Sequence, residues 1–168
     1  MTNEPNYDAQ LAINSYWVDV GGLSFLPGSF SPSDRFARAS FMVGALPTAL
    51  SKAYAPALPD QSLETQASLG VLGVMRAVSV PLGEGVPGKP NVSTTLWRSV
   101  SDQKNKVYYF DSATSPSAFW VDFKQVDFSE GAPVKKLTMA GGKTFSGNAT
   151  ALFTKAALFA PLPVVIKP

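Results

Sequence analysis

The chain has 168 residues, of which 45% are hydrophobic and 15% charged, so its composition is that of one globular domain rather than of a disordered segment. Its net charge is +2 without any cluster of basic residues, and no segment reaches the ~18 apolar residues of a membrane helix, which argues against nucleic acid and membrane as partners. Because the sequence has no cysteine and no histidine, it holds no thiol nucleophile, no disulfide, no Ser–His pair and no usual zinc site, and we expect no cofactor or metal.

Three helices are predicted in the first half of the sequence. Apolar residues at helical spacing after the turn Glu4-Pro5-Asn6 predict the first over residues 6–17. The second is predicted over residues 31–45, where a proline stands in the first turn, and the third over residues 60–78, with Asp60 as its N-cap. The apolar stripes predict buried faces at Phe36, Ala39, Ser40 and Val43 in the second helix and at Leu63, Ala67, Val71, Val74, Met75 and Val78 in the third.

A loop rich in glycine, serine and proline connects the first two helices over residues 20–33. It carries Phe25 and Phe30, the two aromatic residues that we regard as weak candidates for substrate contacts. The other prominent aromatic residues, which are Phe41, Trp97 and Tyr109, are predicted to lie mostly in the core.

Strands are predicted in the second half. Residues 93–101 and 106–112 form a hairpin around Asp102-Gln103-Lys104-Asn105, and residues 118–128 form a third strand. The apolar run over residues 107–110 predicts a strand that is covered on both faces. A last strand is predicted at Leu137-Thr138-Met139, before an apolar tail over residues 161–166. Gly141-Gly142-Lys143-Thr144 lacks the upstream glycine of a phosphate-binding loop, so we predict a turn there.

Four segments carry a resemblance to a known family. They are Thr2-Asn3-Glu4-Pro5-Asn6-Tyr7-Asp8, Ser33-Asp34-Arg35-Phe36-Ala37-Arg38, Thr94-Thr95-Leu96-Trp97-Arg98 and residues 102–110. Together they resemble the choloylglycine hydrolases, which include conjugated bile salt hydrolases and penicillin V acylases, and they look most like the Gram-negative penicillin V acylase branch. The resemblance implies an α+β fold, the carboxy-terminal half of an N-terminal-nucleophile hydrolase sandwich of four αββα layers with antiparallel sheets. It also implies that residues 1–168 are a single partial domain without the half that carries the nucleophile.

The resemblance assigns two catalytic candidates. Asn3 matches the asparagine of the family's oxyanion hole, and Arg35 matches its active-site arginine, which favours the thiolate of an amino-terminal cysteine. Asn3 can also be read as a turn residue ahead of a helix, and we interpret Arg38 as an exposed, salt-bridging arginine. An alternative nucleophile, Thr2 after removal of Met1, is disfavoured because the resemblance places Thr2 inside a strand.

Two functional hypotheses follow. In the first, the chain is the carboxy-terminal portion of a linear amide hydrolase and is inactive alone. The complete enzyme is expected to be an oligomer and to act on a small acyl amide such as penicillin V, a bile salt or an N-acyl homoserine lactone. By the same resemblance the complete enzyme is periplasmic, although the amino terminus here lacks the pattern of a signal peptide. The second, favoured by the missing nucleophile, is a non-catalytic α/β binding or interaction module.

Overall fold

Three helices precede an antiparallel meander in the computed structural model, which describes residues 4–83, 85, 87–88, 93–158 and 160. Helix α2 packs against both α1 and α3, and α3 packs against the edge strand of the sheet. The three helices therefore pack in sequence and join the sheet through α3, in the α+β arrangement that the sequence predicts.

All three predicted helices are present. They are α1 (Tyr7–Val20), α2 (Pro32–Gly44) and α3 (Leu63–Ala77). Each starts at a residue whose side chain accepts a hydrogen bond from a backbone N–H of the first turn, and these N-caps are Asn6, Ser31 and Ser62. The prediction of Asp60 as the third cap is wrong, because the Asp60 carboxylate instead binds the Ser62 hydroxyl and backbone N–H and so supports the cap from two residues upstream.

The predicted buried stripes are wrong in part. In α2 the buried residues are Pro32, Ala37 and Arg38, whereas Val43 is 50% exposed. In α3 they are Ser68, Leu72 and Val74, so only Val74 of the predicted stripe is fully buried and Ala67 is exposed. Apolar periodicity misplaces these faces because polar side chains of both helices are drawn inward by hydrogen-bond partners on loops and strands.

The main sheet has the strand order β1–β2–β3–β5. The antiparallel meander of β1 (Trp97–Asp102), β2 (Val107–Ser112) and β3 (Ala118–Asp122) confirms the predicted hairpin and third strand. Strand β1 begins at Trp97 and not at residue 93 as predicted, and β3 ends earlier than predicted because a 3-10 turn follows it. Strand β5 (Gly147–Asn148) is parallel to β3, and β4 (Lys135–Lys136) pairs separately with β6 (Thr154–Lys155). Residues 137–139 are not a strand, so that prediction is wrong, whereas the turn at Gly141 and Gly142 is confirmed.

The two faces of the sheet are covered differently. On one face, Asp102 of β1 accepts a hydrogen bond from Ser68 of α3 at 3.3 Å. On the other, Phe119, Val121 and Ala149 form the core together with partly buried residues of the irregular segment after β3, among them Phe145 and Phe153. Strand β2 thus lies between two layers, as its apolar run predicts.

Large apolar side chains remain exposed in several places. Trp97, predicted as core, is 58% exposed because its side chain lies at the start of the edge strand β1. Of the residues that indicated α1, Tyr7 and Leu11 are 56% and 45% exposed. None of the helices in the described part of the chain is long and apolar enough to span a membrane. The predicted tail over residues 161–166 lies outside the described residues.

Candidate active site

Arg35 lies in the first turn of α2 and is held there through one nitrogen. Its Nε donates a hydrogen bond to the carbonyl oxygen of Phe30 at 3.1 Å, in the loop that leads into the helix. Among the described residues, the two terminal nitrogens of its guanidinium form neither a hydrogen bond nor an ion pair. The Nε hydrogen bond orients these terminal nitrogens, and because the side chain is only partly buried, another group can reach them.

Arg38 contacts the same loop from one helical turn further on. Its Nη1 donates to the carbonyl oxygens of Pro27, at 2.6 Å, and Ser29, at 2.7 Å. The residue is only 9% exposed and forms no salt bridge within the described part of the chain, so the interpretation of Arg38 as an exposed, salt-bridging arginine is wrong. Burial lowers the pKa of its guanidinium, an effect that nearby Asp34 partly offsets. An arginine remains charged despite such a shift, so a cation is buried against carbonyl oxygens.

Asn3 and Thr2 lie outside the described residues, so their roles stay predictions. The residues that follow Asn3 are described: Glu4 and Pro5 line a small open pocket of about 330 Å³ together with Ile13 and residues 31–33. Arg35 follows this lining segment by two residues. The chain directly after Asn3 is therefore adjacent to the start of the helix that carries Arg35.

Gln10 connects the two helices that flank this pocket. It is 1% exposed, and its Nε2 donates both to Asn14 Oδ1 at 3.0 Å and to the carbonyl oxygen of Ser33 at 3.2 Å. An edge-to-face pair of Tyr7 and Phe36, with ring centroids 6.3 Å apart, adds a second contact between the helices. Sequence reasoning missed Gln10, because a glutamine within a helix carries no signal that separates a buried from a solvated position.

The two aromatic candidates of the loop differ in exposure. Phe25 is 62% exposed, and its ring lies against Gly21, where a Cβ would come within 2.8 Å of it. Gly21 also has a φ of 126°, so no other residue suits this end of α1. Phe30 is partly buried, and its backbone carbonyl rather than its ring is what contacts Arg35. The suggested substrate contacts of both rings stay predictions.

A second arginine cluster lies between α3 and the sheet. Asp111 of β2 is 2% exposed, and its Oδ2 accepts a hydrogen bond from Arg76 Nε at 2.7 Å and lies 2.9 Å from Arg98 Nε. Arg98 also donates to the Ser79 hydroxyl at 3.3 Å. The hydrogen bond to Asp111 raises the pKa of the Arg76 guanidinium. Because this carboxylate is already shared by two arginines, we assign the cluster to structure rather than catalysis.

Another cavity lies on the face of the sheet opposite α3. It measures about 580 Å³ and is lined mainly by apolar and aromatic side chains, including Tyr108, Phe123 and Phe128. It does not include Arg35 or the residues around it. In the described part of the chain, no group of three acidic residues is placed to hold a metal ion.

Comparisons with known proteins agree with this arrangement. A sequence model of the linear amide C–N hydrolases of the choloylglycine hydrolase family matches residues 1–136. The chain belongs to this family. It is 38% identical to a penicillin V acylase of Pectobacterium atrosepticum over an alignment of 166 residues that covers 95% of this chain and 43% of that protein.

A solved family structure extends the likeness to the fold. The structure of penicillin V acylase from Agrobacterium tumefaciens superposes with a TM-score of 0.79 at 40% identity, covering 98% of this chain and 49% of that one. The predicted α+β fold of the N-terminal-nucleophile hydrolase type is thereby confirmed. The chain spans about half the length of these choloylglycine hydrolase relatives.

Proposed function

We propose that this chain takes part in the hydrolysis of a linear amide C–N bond and contributes Arg35 and Asn3 to the active site. The observation that carries the proposal is the hydrogen bonding of the Arg35 guanidinium. Its Nε is fixed on the Phe30 carbonyl while both terminal nitrogens have no partner in the described part of the chain. A guanidinium held in this way presents a fixed positive charge and two directed donors to a reacting group.

The chemistry requires a nucleophile that this chain does not contain, since the sequence has no cysteine. In the proposed reaction, a cysteine thiolate from outside these 168 residues attacks the carbonyl carbon of the amide. The Asn3 side-chain amide donates to the oxyanion that forms, and Arg35 stabilises the thiolate before attack. The C–N bond breaks, the amine leaves with a proton, and water then hydrolyses the thioester to the carboxylic acid and the free thiol.

The substrate class follows from the same resemblance. We propose a small acyl amide, with the phenoxyacetyl amide of penicillin V as the first candidate because both acylases compared above carry that name. Bile salts and N-acyl homoserine lactones share the acyl group on an amide nitrogen and are the alternatives. The rings of Phe25 and Phe30 are proposed as contacts for the acyl group.

The test is a chimera in which this chain replaces the matching part of the Pectobacterium acylase. We expect the chimera to hydrolyse penicillin V and the variant Arg35→Gln to lose about a hundredfold in kcat/KM, the order observed when one transition-state donor is removed. Arg76→Gln is the matched control, because Arg76 contacts Asp111 and not the site. Assays on a bile salt and on an N-acyl homoserine lactone, with the same variants, determine the acyl preference.

Two results would contradict the proposal. A folded chimera that hydrolyses none of the three substrates would favour the binding or interaction module. A chimera whose activity is reduced equally by Arg35→Gln and Arg76→Gln would mean that Arg35 affects folding and not the reaction.

A further inference from the structure

We infer that Arg38 is a positioning residue that fixes the orientation of Arg35 through the loop of residues 26–30. This inference rests on the proposed role of Arg35. It goes beyond that role because it identifies what holds Arg35 in place.

The first step is the convergence of loop carbonyls on one helical face. Three of the four carbonyls from Pro27 to Phe30 bind the guanidinium groups of Arg35 and Arg38. The two arginines are three positions apart on α2, so their side chains lie on the same side of the helix. Side chains of the helix therefore help to hold this loop in place near the site.

The second step is the difference in burial between the two arginines. Arg38 is 9% exposed and bonded to two carbonyls at 2.6 and 2.7 Å, whereas Arg35 is only partly buried and bonded to one at 3.1 Å. The tighter, better-buried contact belongs to Arg38. Because Ser29 and Phe30 are consecutive, fixing the Ser29 carbonyl also restricts the Phe30 carbonyl that accepts from Arg35 Nε.

The third step is the carboxylate that Arg38 does not bind. Asp34 lies near enough to affect the pKa of Arg38, yet its carboxylate binds the hydroxyl of Ser29, and no ion pair with Arg38 occurs within the described part of the chain. A buried cation that binds carbonyl oxygens instead of a carboxylate is costly compared with an apolar side chain. In return, Arg38 Nη1 fixes the loop at Pro27 and Ser29, and the contact between Ser29 and Asp34 holds the second of these positions from another side.

The experiment follows Arg35 itself by NMR, in the full 168-residue chain with and without changes at Arg38. The Nε–Hε signal of Arg35 reports its hydrogen bond to Phe30 through its exchange rate with water. We expect Arg38→Met to accelerate this exchange about tenfold, as loss of one ordinary hydrogen bond implies. Arg38→Lys keeps the charge and one donor position, and we expect a smaller acceleration.

Arg76→Met is the matched control, since it removes an arginine of the other cluster, and we expect it to leave the Arg35 signal unchanged. Unchanged Hε exchange in a folded Arg38→Met or Arg38→Lys variant would overturn the inference. Equal acceleration in Arg76→Met would overturn it as well, because the effect would then reflect general destabilisation. Exchange of Hε does not depend on activity, so this result stands apart from the chimera assay of the proposed function.

Discussion

Two clusters of arginines each include a well-buried guanidinium, and the charges are compensated in different ways. Arg98 and Arg76 share the carboxylate of Asp111, which joins α3 to the sheet. Within the described residues, Arg38 binds carbonyl oxygens of a loop and no carboxylate. A carboxylate neutralises a buried cation, whereas carbonyl dipoles leave its net charge in place. The comparison indicates that the first cluster stabilises the fold, while the second shapes the loop next to Arg35.

The largest effect should come from removing the shared carboxylate. Asp111→Ala leaves two arginines without their acceptor, one of them well buried, and we expect the free energy of unfolding to fall by about 3 kcal/mol. Urea unfolding of both proteins measures this loss. The exposed Asp127 is the control, and Asp127→Ala should change stability by no more than ~0.5 kcal/mol. Similar losses of stability for both variants would mean that the carboxylate shared by the two arginines does not stabilise the fold.

A smaller loss of stability is expected when Arg38, which binds no carboxylate in the described part of the chain, is replaced. Arg38→Met removes the donor of two loop carbonyls and also removes the cost of burying a charge, so we expect a loss of about 1–2 kcal/mol in the free energy of unfolding. The same urea experiment compares it with Asp111→Ala. A loss larger than that of Asp111→Ala would reverse the comparison between the two clusters.

The exposed carboxylate of Asp60 should contribute less to stability than Asp111, and its contribution should depend on pH. A hydrogen bond from the Thr65 hydroxyl, together with those from Ser62, lowers the pKa of Asp60, and desolvation partly opposes them. A lowered folded-state pKa adds stability above the unfolded-state value of about 4 and loses it as the pH falls through the folded-state value. Asp60→Asn should therefore cost well under ~1 kcal/mol at neutral pH, because the group is solvated. Thermal unfolding from neutral to acidic pH should show the two proteins converging; a constant difference would contradict the assignment.

The smallest effect is expected at the surface ion pair between Lys104 and Glu64, whose nitrogen and oxygen are 2.7 Å apart. Both groups are exposed enough for salt to screen them. Lys104→Gln should lower the melting temperature slightly at low ionic strength and not at all in about 1 M salt. A decrease that persists at high salt would mean that Lys104 stabilises the hairpin by packing instead of by charge.

Local sequence signals located the elements of the fold well. The predictions of three helices and a β1–β2 hairpin hold, because caps such as Asn6 and Ser31, proline in a first turn and the polar turn after Asp102 act within a few residues. The faces of those helices were predicted poorly. Gln10 and Arg38 are buried because carbonyls at Ser33, Pro27 and Ser29 bind them, and these partners are 9 to 23 residues away in the sequence.

For the candidate site too, local features could be predicted from the sequence and tertiary contacts could not. By itself, the sequence determined that Arg35 stands in the first turn of a helix after a Gly- and Pro-rich loop, because capping and turn chemistry are local, and its motifs indicated the choloylglycine hydrolase family. Only the tertiary structure decided that Arg35 is anchored through Nε with its terminal nitrogens unpaired in the described chain, and that Arg38 is buried rather than solvated. Both depend on where the loop carbonyls point in space, which is set by the packing of α2 against its neighbours and leaves no pattern along the chain.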